Sequence, residues 1–317
     1  MTEPKKRGCL GCSFPILIIV VVVVLTLLVI GFLAGPLGKK IIGDVGLPSW
    51  LSVGAPEPHL PAPVLFNVFG LPITNTMLAG WITVVFLVLV SWLITRRMKV
   101  VPGRVQAAFE FILGWIYDFC VSVAGEKNGR RFFPVICTIF LFVAFNAWLS
   151  LIPGFGSILW GGHELLRGSN TDVNTPLAIA LISFVFVEFY GLKTLGIKYM
   201  RKFVNVSGLT KSVGLISKGN IKKGITGLFS GVIDIFVGGL ESLSELIRIV
   251  SFTFRLFGNM TAGEILIMVA AFLIPMAISW IVYGLELFIG FIQALVFAGL
   301  TLAFVSMAVA SHEEEAH

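Results

Sequence analysis

Six runs of roughly 20 or more mostly apolar residues, at 14–34, 74–95, 132–153, 173–195, 240–274 and 277–310, leave this chain few ways to fold. Each run is long enough for an α-helix to cross a hydrocarbon core of about 30 Å, where backbone polar groups must be satisfied within the segment itself. Transmembrane β-strands need only about 10 alternating residues, so the runs predict helices. The 57% apolar and 13% charged content, with a mean hydropathy of +0.97, lies outside the range of soluble domains. The expectation is an all-α polytopic membrane protein: five core membrane helices, an extra helix at the N-terminus, and a long C-terminal helical hairpin. The last two runs reach roughly 50 Å as helices, so they must tilt or carry polar faces that avoid lipid.

The net charge of +6 does not point to nucleic acid, because the basic residues alternate with the spans. With the N-terminus placed in the cytoplasm, Lys5 to Arg7, Arg96 to Arg131 and Lys193 to Lys223 fall on the cytoplasmic side. Lys39, Lys40 and Arg167 fall outside, and Arg248 and Arg255 lie within a span. That bias fits the positive-inside pattern and puts both termini in the cytoplasm. Lys5, Lys6 and Arg7 before an apolar run ending at Ala34 and Gly35 also resemble a secretory signal. The run is nearer 20 residues than the roughly 7–15 of a signal's apolar region, so a retained anchor is expected. Cys9 and Cys12 form a lone C-x-x-C, read as juxtamembrane thiols rather than a metal or redox site. The four histidines, His59, His163, His312 and His317, have no metal-ligand spacing.

The expected organisation is an N-terminal tip and anchor at 1–35, an external Pro/Gly-rich segment at 36–73, a membrane domain at 74–311 and a cytoplasmic tail at 312–317. Within the membrane domain, 104–124 reads as a surface helix rather than a span. Gln106, Glu110, Asp118 and Ser122 fall on one stripe, and Val105, Phe109, Ile112, Ile116, Phe119 and Val123 on the opposite one. The basic, Gly-rich stretch 201–239 reads as cytoplasmic with a short interfacial helix.

The chemistry concentrates in Glu241 to Pro275. Glu241, Ser244, Arg248, Ser251, Arg255 and Asn259 recur at steps of three or four, which puts them on one helix face. Arg255 is the most demanding of these. An arginine at mid-span costs about 2.5–3.5 kcal/mol and does not discharge, so something must compensate it permanently. Gly258 and Asn259 occupy the i+3 and i+4 positions, so the next turn offers no carboxylate, and the counter-charge must come from elsewhere. Arg248 differs, because Glu245 three residues earlier can pair with it locally. Folding the last two spans back near Pro275 brings Glu264 and Glu286 to one depth, and Arg255 and Gln293 to another roughly 10–14 Å farther from the bend. Two carboxylates at one depth can hold and pass a proton, because like charges so close do not both ionise.

At RLFGNMTAGE, Arg255 to Glu264, the sequence resembles subunit a of F-type ATP synthases. GRVQAAFEFILGWI from Gly103, FVAFNAWLSLIPGF from Phe142, TDVNTPLAIAL from Thr171 and the Gln293 region resemble the same family in the same order, over roughly residues 70–310. The resemblance implies a proton-translocating stator that forms two aqueous half-channels against a rotating ring of c subunits. It makes Arg255 the stator residue facing the ring carboxylates, and Glu264 and Glu286 the proton relay. Many members carry histidine where this chain has Glu286. Asn259 and Gln293 become polar channel or interface residues, Glu241 and Ser251 lining of the cytoplasmic path, and Asp172 and Asn174 lining of the external one. The implied partners are the c-ring, peripheral-stalk b-type subunits, the remaining subunits of the complex and the lipid of a bacterial plasma membrane. No cofactor or metal is implied. The chain lacks G-x-x-x-x-G-K-[ST], so it is not expected to bind nucleotide itself, and the placement of its basic residues leaves nucleic-acid binding unexpected. A stand-alone carrier would show inverted repeats or broken half-helices, and neither is visible.

Overall fold

The computed structural model describes residues 14–43, 61–96, 98–152, 158–160, 163–196, 221–275 and 277–310, with a few isolated positions between them. The chain is all-α and polytopic. Among the described residues its helices are α1 (Phe14–Ala34), α2 (Pro36–Ile42), α3 (Asn75–Arg96), α4 (Arg104–Ser150), α5 (Asn174–Leu195), α6 (Ile221–Leu273) and α7 (Ala277–Ala310). Five are long and apolar enough to cross a membrane, and α1 with α2 makes a sixth candidate bent by 76°. Two short hairpins, β1 (Val64–Val68) with β2 (Leu71–Thr74) and β3 (Leu159–Trp160) with β4 (His163–Glu164), decorate the connections. The first turns through Phe69 and Gly70, both at positive φ, as a tight right-twisted hairpin requires.

One sequence expectation changes. The stretch 221–239, read as part of a separate cytoplasmic segment, is the first part of α6, which at 53 residues runs about 80 Å. Its glycines do not interrupt the helix, since each costs only about 1 kcal/mol there. Residues 104–150 form one element only by name. Gly125, at φ 75° and ψ 166°, breaks it into a limb from Arg104 and a limb that ends at Ser150. That break separates the expected surface helix from the expected span. Cys9, Cys12, His59, His312, His317 and the tail 312–317 lie outside the described residues.

Contacts divide the chain into two compact units: residues 1–61 with 259–289, and residues 62–258 with 290–317. In the larger unit the second limb of α4 forms the centre. Phe132, Ile136, Ile139, Phe140 and Val143 are buried there, with Phe132 edge-on to Phe186 and Tyr190 of α5 and Phe140 edge-on to Phe291 of α7. Ser183 of α5 and Thr301 of α7 share a buried hydrogen bond of 2.7 Å. Thr301 already donates to the Phe297 carbonyl, so Ser183 is the donor between them. The outer surface is apolar, with Val84, Val85, Val88 and Leu89 of α3 all exposed. An apolar exterior suits a bilayer, where close packing and interhelical hydrogen bonds replace the hydrophobic effect between helices.

In the smaller unit, α1 and the ends of α6 and α7 that flank Pro275 pack together. Gly31 lies against the Pro275 carbonyl and Gly35 against the Leu273 carbonyl, each so close that a Cβ would overlap the oxygen. Gly35 also separates α1 from α2, and Pro36 starts α2 at the position where a missing N–H costs nothing.

Candidate functional site

The expected site residues fall into the two units. Arg255, Gln293, Glu241, Ser251, Asp172 and Asn174 belong to the larger, and Asn259, Glu264 and Glu286 to the smaller.

In the larger unit Arg255 is half-buried on α6, and its guanidinium lies 5.8 Å from the ring centre of Phe252, one turn earlier. The Phe252 ring is held in turn by Phe297 of α7 at 4.8 Å. This cation–π contact sits near the outer limit of about 6 Å and offsets little of the charge. No described carboxylate of its own unit forms an ion pair with Arg255. Arg248 behaves as its sequence neighbour suggests. Its Nη1 donates to Glu245 Oε2 at 2.6 Å, and its guanidinium lies 3.6 Å from the ring centre of Phe304. Gln293 is 4% exposed on α7, Glu241 is half-buried and Ser251 exposed.

At the start of α5, Asp172 is a junction. Its Oδ1 accepts from the Asn174 backbone N–H at 3.1 Å and from the Asn174 side chain at 3.0 Å, and its Oδ2 accepts from Thr76 of α3 at 3.0 Å. A carboxylate there also complements the positive end of the α5 dipole. Around this junction lies a polar cluster that sequence reasoning missed: Asn75, Thr76, Asn146, Ser169, Asn170 and Thr171, all buried. Asn75 Nδ2 donates to the Glu164 carbonyl at 3.1 Å, and Ser169 shares a 2.9 Å hydrogen bond with Thr175. Asn75 Oδ1, Asn146 Nδ2 and both amide atoms of Asn170 have no hydrogen-bond partner among the described residues. Such atoms mark places where water completes a polar site. The available signal was Asn146, an amide in the apolar run FVAFNAWLSL.

A second missed group lies after α5. Tyr199 is buried, and its hydroxyl donates to Glu188 Oε1 at 3.2 Å. Burial first, and then the neighbouring Glu188 carboxylate, push the phenol well above its usual range. Gly191 leaves the room for the ring, since a Cβ there would stand 2.6 Å from it.

In the smaller unit Glu286 is 4% exposed, and its carboxylate lies against Gly263, where any Cβ would overlap it. Its Oε2 has no hydrogen-bond partner among the described residues. Glu264 is half-buried and follows Gly263 directly, so the backbone that carries it lies at the level where Glu286 meets α6. Asn259 is exposed.

Comparison with known proteins identifies the family. The sequence profile of the family described as ATP synthase A chain matches residues 77–306. The chain is 30% identical over 242 residues to ATP synthase subunit a of Desulfosudis oleivorans, covering 75% of this chain and 87% of that one. It is 30% identical over 264 residues to ATP synthase subunit a of Desulforamulus reducens, covering 80% and 86%. It is 31% identical over 225 residues to ATP synthase subunit a of Geotalea daltonii, covering 71% and 83%. The profile runs from the start of α3 almost to the end of α7, taking in Asp172, Arg255, Gly263 and Glu286, and the chain therefore belongs to the ATP synthase A chain family.

Proposed function

We propose that this multi-pass membrane protein is the stator half of a proton-driven rotary motor. It works within a complex whose other subunits carry the nucleotide chemistry. Arg255 carries the reading: a permanent charge on a membrane helix, with no described carboxylate of its own unit to pair with. A ring of c subunits, each presenting a proton-binding carboxylate, supplies the counter-charge in turn. A ring carboxylate opposite Arg255 is stabilised as the anion and gives up its proton, and away from Arg255 it must be protonated to face lipid. The arginine thus separates an entry path from an exit path and blocks direct leakage.

The buried polar cluster around Asp172, with Asn174, supports an external half-channel, and Glu264 and Glu286 relay the proton toward the ring. Asn259 and Gln293 line the interface, and Glu241 and Ser251 the cytoplasmic path. Each proton crossing 100 mV releases about 2.3 kcal/mol, which rotation carries to the catalytic head. The remaining assignments are peripheral-stalk b-type subunits as neighbours, a bacterial plasma membrane as the setting and cytoplasmic termini. Within the chain they are an anchor at 1–35, an external segment at 36–73 and the conducting domain at 74–311.

The test is ATP-driven proton pumping in membrane vesicles bearing Arg255→Ala, with passive leak and complex assembly measured in parallel. An assembled complex that has lost coupled pumping supports the stator role. Normal coupled pumping in an assembled variant overturns it.

A further inference from the structure

The first helix lies outside the matched family region, which begins at residue 77, and the structure gives it a specific contact. Gly31 in the last turn of α1 and Gly35 just past its end are four residues apart, and a small-xxx-small spacing of this kind lets a membrane helix approach another backbone closely. Here the approach is to the end of α6. Gly31 meets the Pro275 carbonyl and Gly35 the Leu273 carbonyl, and the Ile274 side chain stands 3.8 Å from the Cβ position of Gly31. These carbonyls follow the last intrahelical bonds, of which Ile274 N–H to the Ala270 carbonyl is one, so they lie among the acceptors that a helix end leaves open. Glycine Cα–H groups are weak donors that can serve such acceptors at close range. Ala34 and Gly35 are buried at this contact, whereas Val20 to Leu25, lower on α1, are exposed on every face. The contact is therefore local to the bend.

The same bend sets how α6 and α7 register. Gly263 lies twelve residues before Pro275 and Glu286 eleven after it, in the same unit, and their contact tolerates no added atom. A shift of the bend moves Glu286 on its seat. We infer that α1 is a retained membrane helix whose Gly31 and Gly35 clamp the α6–α7 bend and act as positioning residues for the Glu264–Glu286 relay. The positioning role rests on the proton-relay reading given above; the clamp itself does not.

The experiment uses the complete complex purified from membranes, with three readouts. Intact mass of the subunit should show α1 present, and an N-terminus beyond Gly35 overturns the proposal. A photoreactive phenylalanine analogue in place of Ile274 should cross-link within the chain to residues 14–42, and cross-links exclusively elsewhere overturn it. Gly31→Ala and Gly31→Leu should lower ATP-driven pumping per assembled complex in order of size, the larger by about tenfold, and displace the pH profile of pumping. Val21→Leu, on the exposed part of α1, should do neither. Unchanged pumping and an unchanged profile in both Gly31 variants overturn the positioning role. Mass and cross-linking do not depend on Arg255, so the clamp and the stator mechanism fail separately.

Discussion

The Glu286 carboxylate rests on the Cα of Gly263, with no room between them for a methyl group. One buried acid on α7 therefore has its position dictated by the absence of a side chain on α6. The direct consequence concerns Gly263→Ala, which must push the carboxylate away at a cost of about 1–3 kcal/mol for overpacking. Coupled proton pumping should fall about tenfold or more, and Gly263→Ala with Glu286→Asp, one methylene shorter, should recover part of it. Pumping by Gly263→Ala at the wild-type rate would show that the seat is unimportant.

Glu245 and Arg248 form a tight ion pair whose side chains are 4% and 20% exposed. Removing the acid alone strands the guanidinium, so Glu245→Ala should destabilise the subunit by about 3 kcal/mol. Glu245→Leu with Arg248→Met removes both charges and should restore most of that loss. Thermal stability of the detergent-solubilised complex measures both, and equal losses in the single and double variants would contradict the pairing.

Gly125 adopts backbone angles that only glycine reaches easily, and no atom crowds its Cβ position. Gly125→Ala is therefore a test of backbone strain alone, with an expected cost of about 1–3 kcal/mol. Gly114→Ala, in the first limb of α4 and equally uncrowded, should be neutral or stabilise by about 0.4–1 kcal/mol. Membrane levels of the two variants should diverge, and parity between them would place the kink elsewhere.

Tyr199 supplies a pH dependence. Its phenol is raised above the ordinary value of about 10, so the folded state favours the neutral, donating form. That stabilisation is complete below about pH 10 and disappears as pH climbs above it, because the unfolded chain ionises first. Melting temperature should fall more steeply above about pH 10 in the wild type than in Tyr199→Phe. Parallel curves would rule out the contribution.

The sequence made the transmembrane helices readable because lipid imposes one local rule on each. The expected limits of α1, α3, α5 and α7 lie within one residue of those observed, punctuated by Gly35, Arg96, the TDVN segment and Pro275. The start of α6 was not readable, since Gly224, Gly227 and Gly231 mark an interruption that the continuous helix does not make. In the site, the Arg248 pair was legible from spacing alone, as was the level at which Glu286 meets α6 beside Glu264. The polar cluster was not. Thr76 and Asp172 are 96 residues apart in sequence, and nothing local to either announces the other. Gly263 escaped for the opposite reason: a residue with no side chain shows its importance only through the neighbour that fills its place.

The solitary charge of Arg255 also bears on how the subunit is made. A newly synthesised copy enters the membrane with a guanidinium that nothing described in its own unit neutralises, so the chain is energetically incomplete until its partner arrives. On the stator reading proposed above, that cost also favours copies that have met the ring over copies that have not.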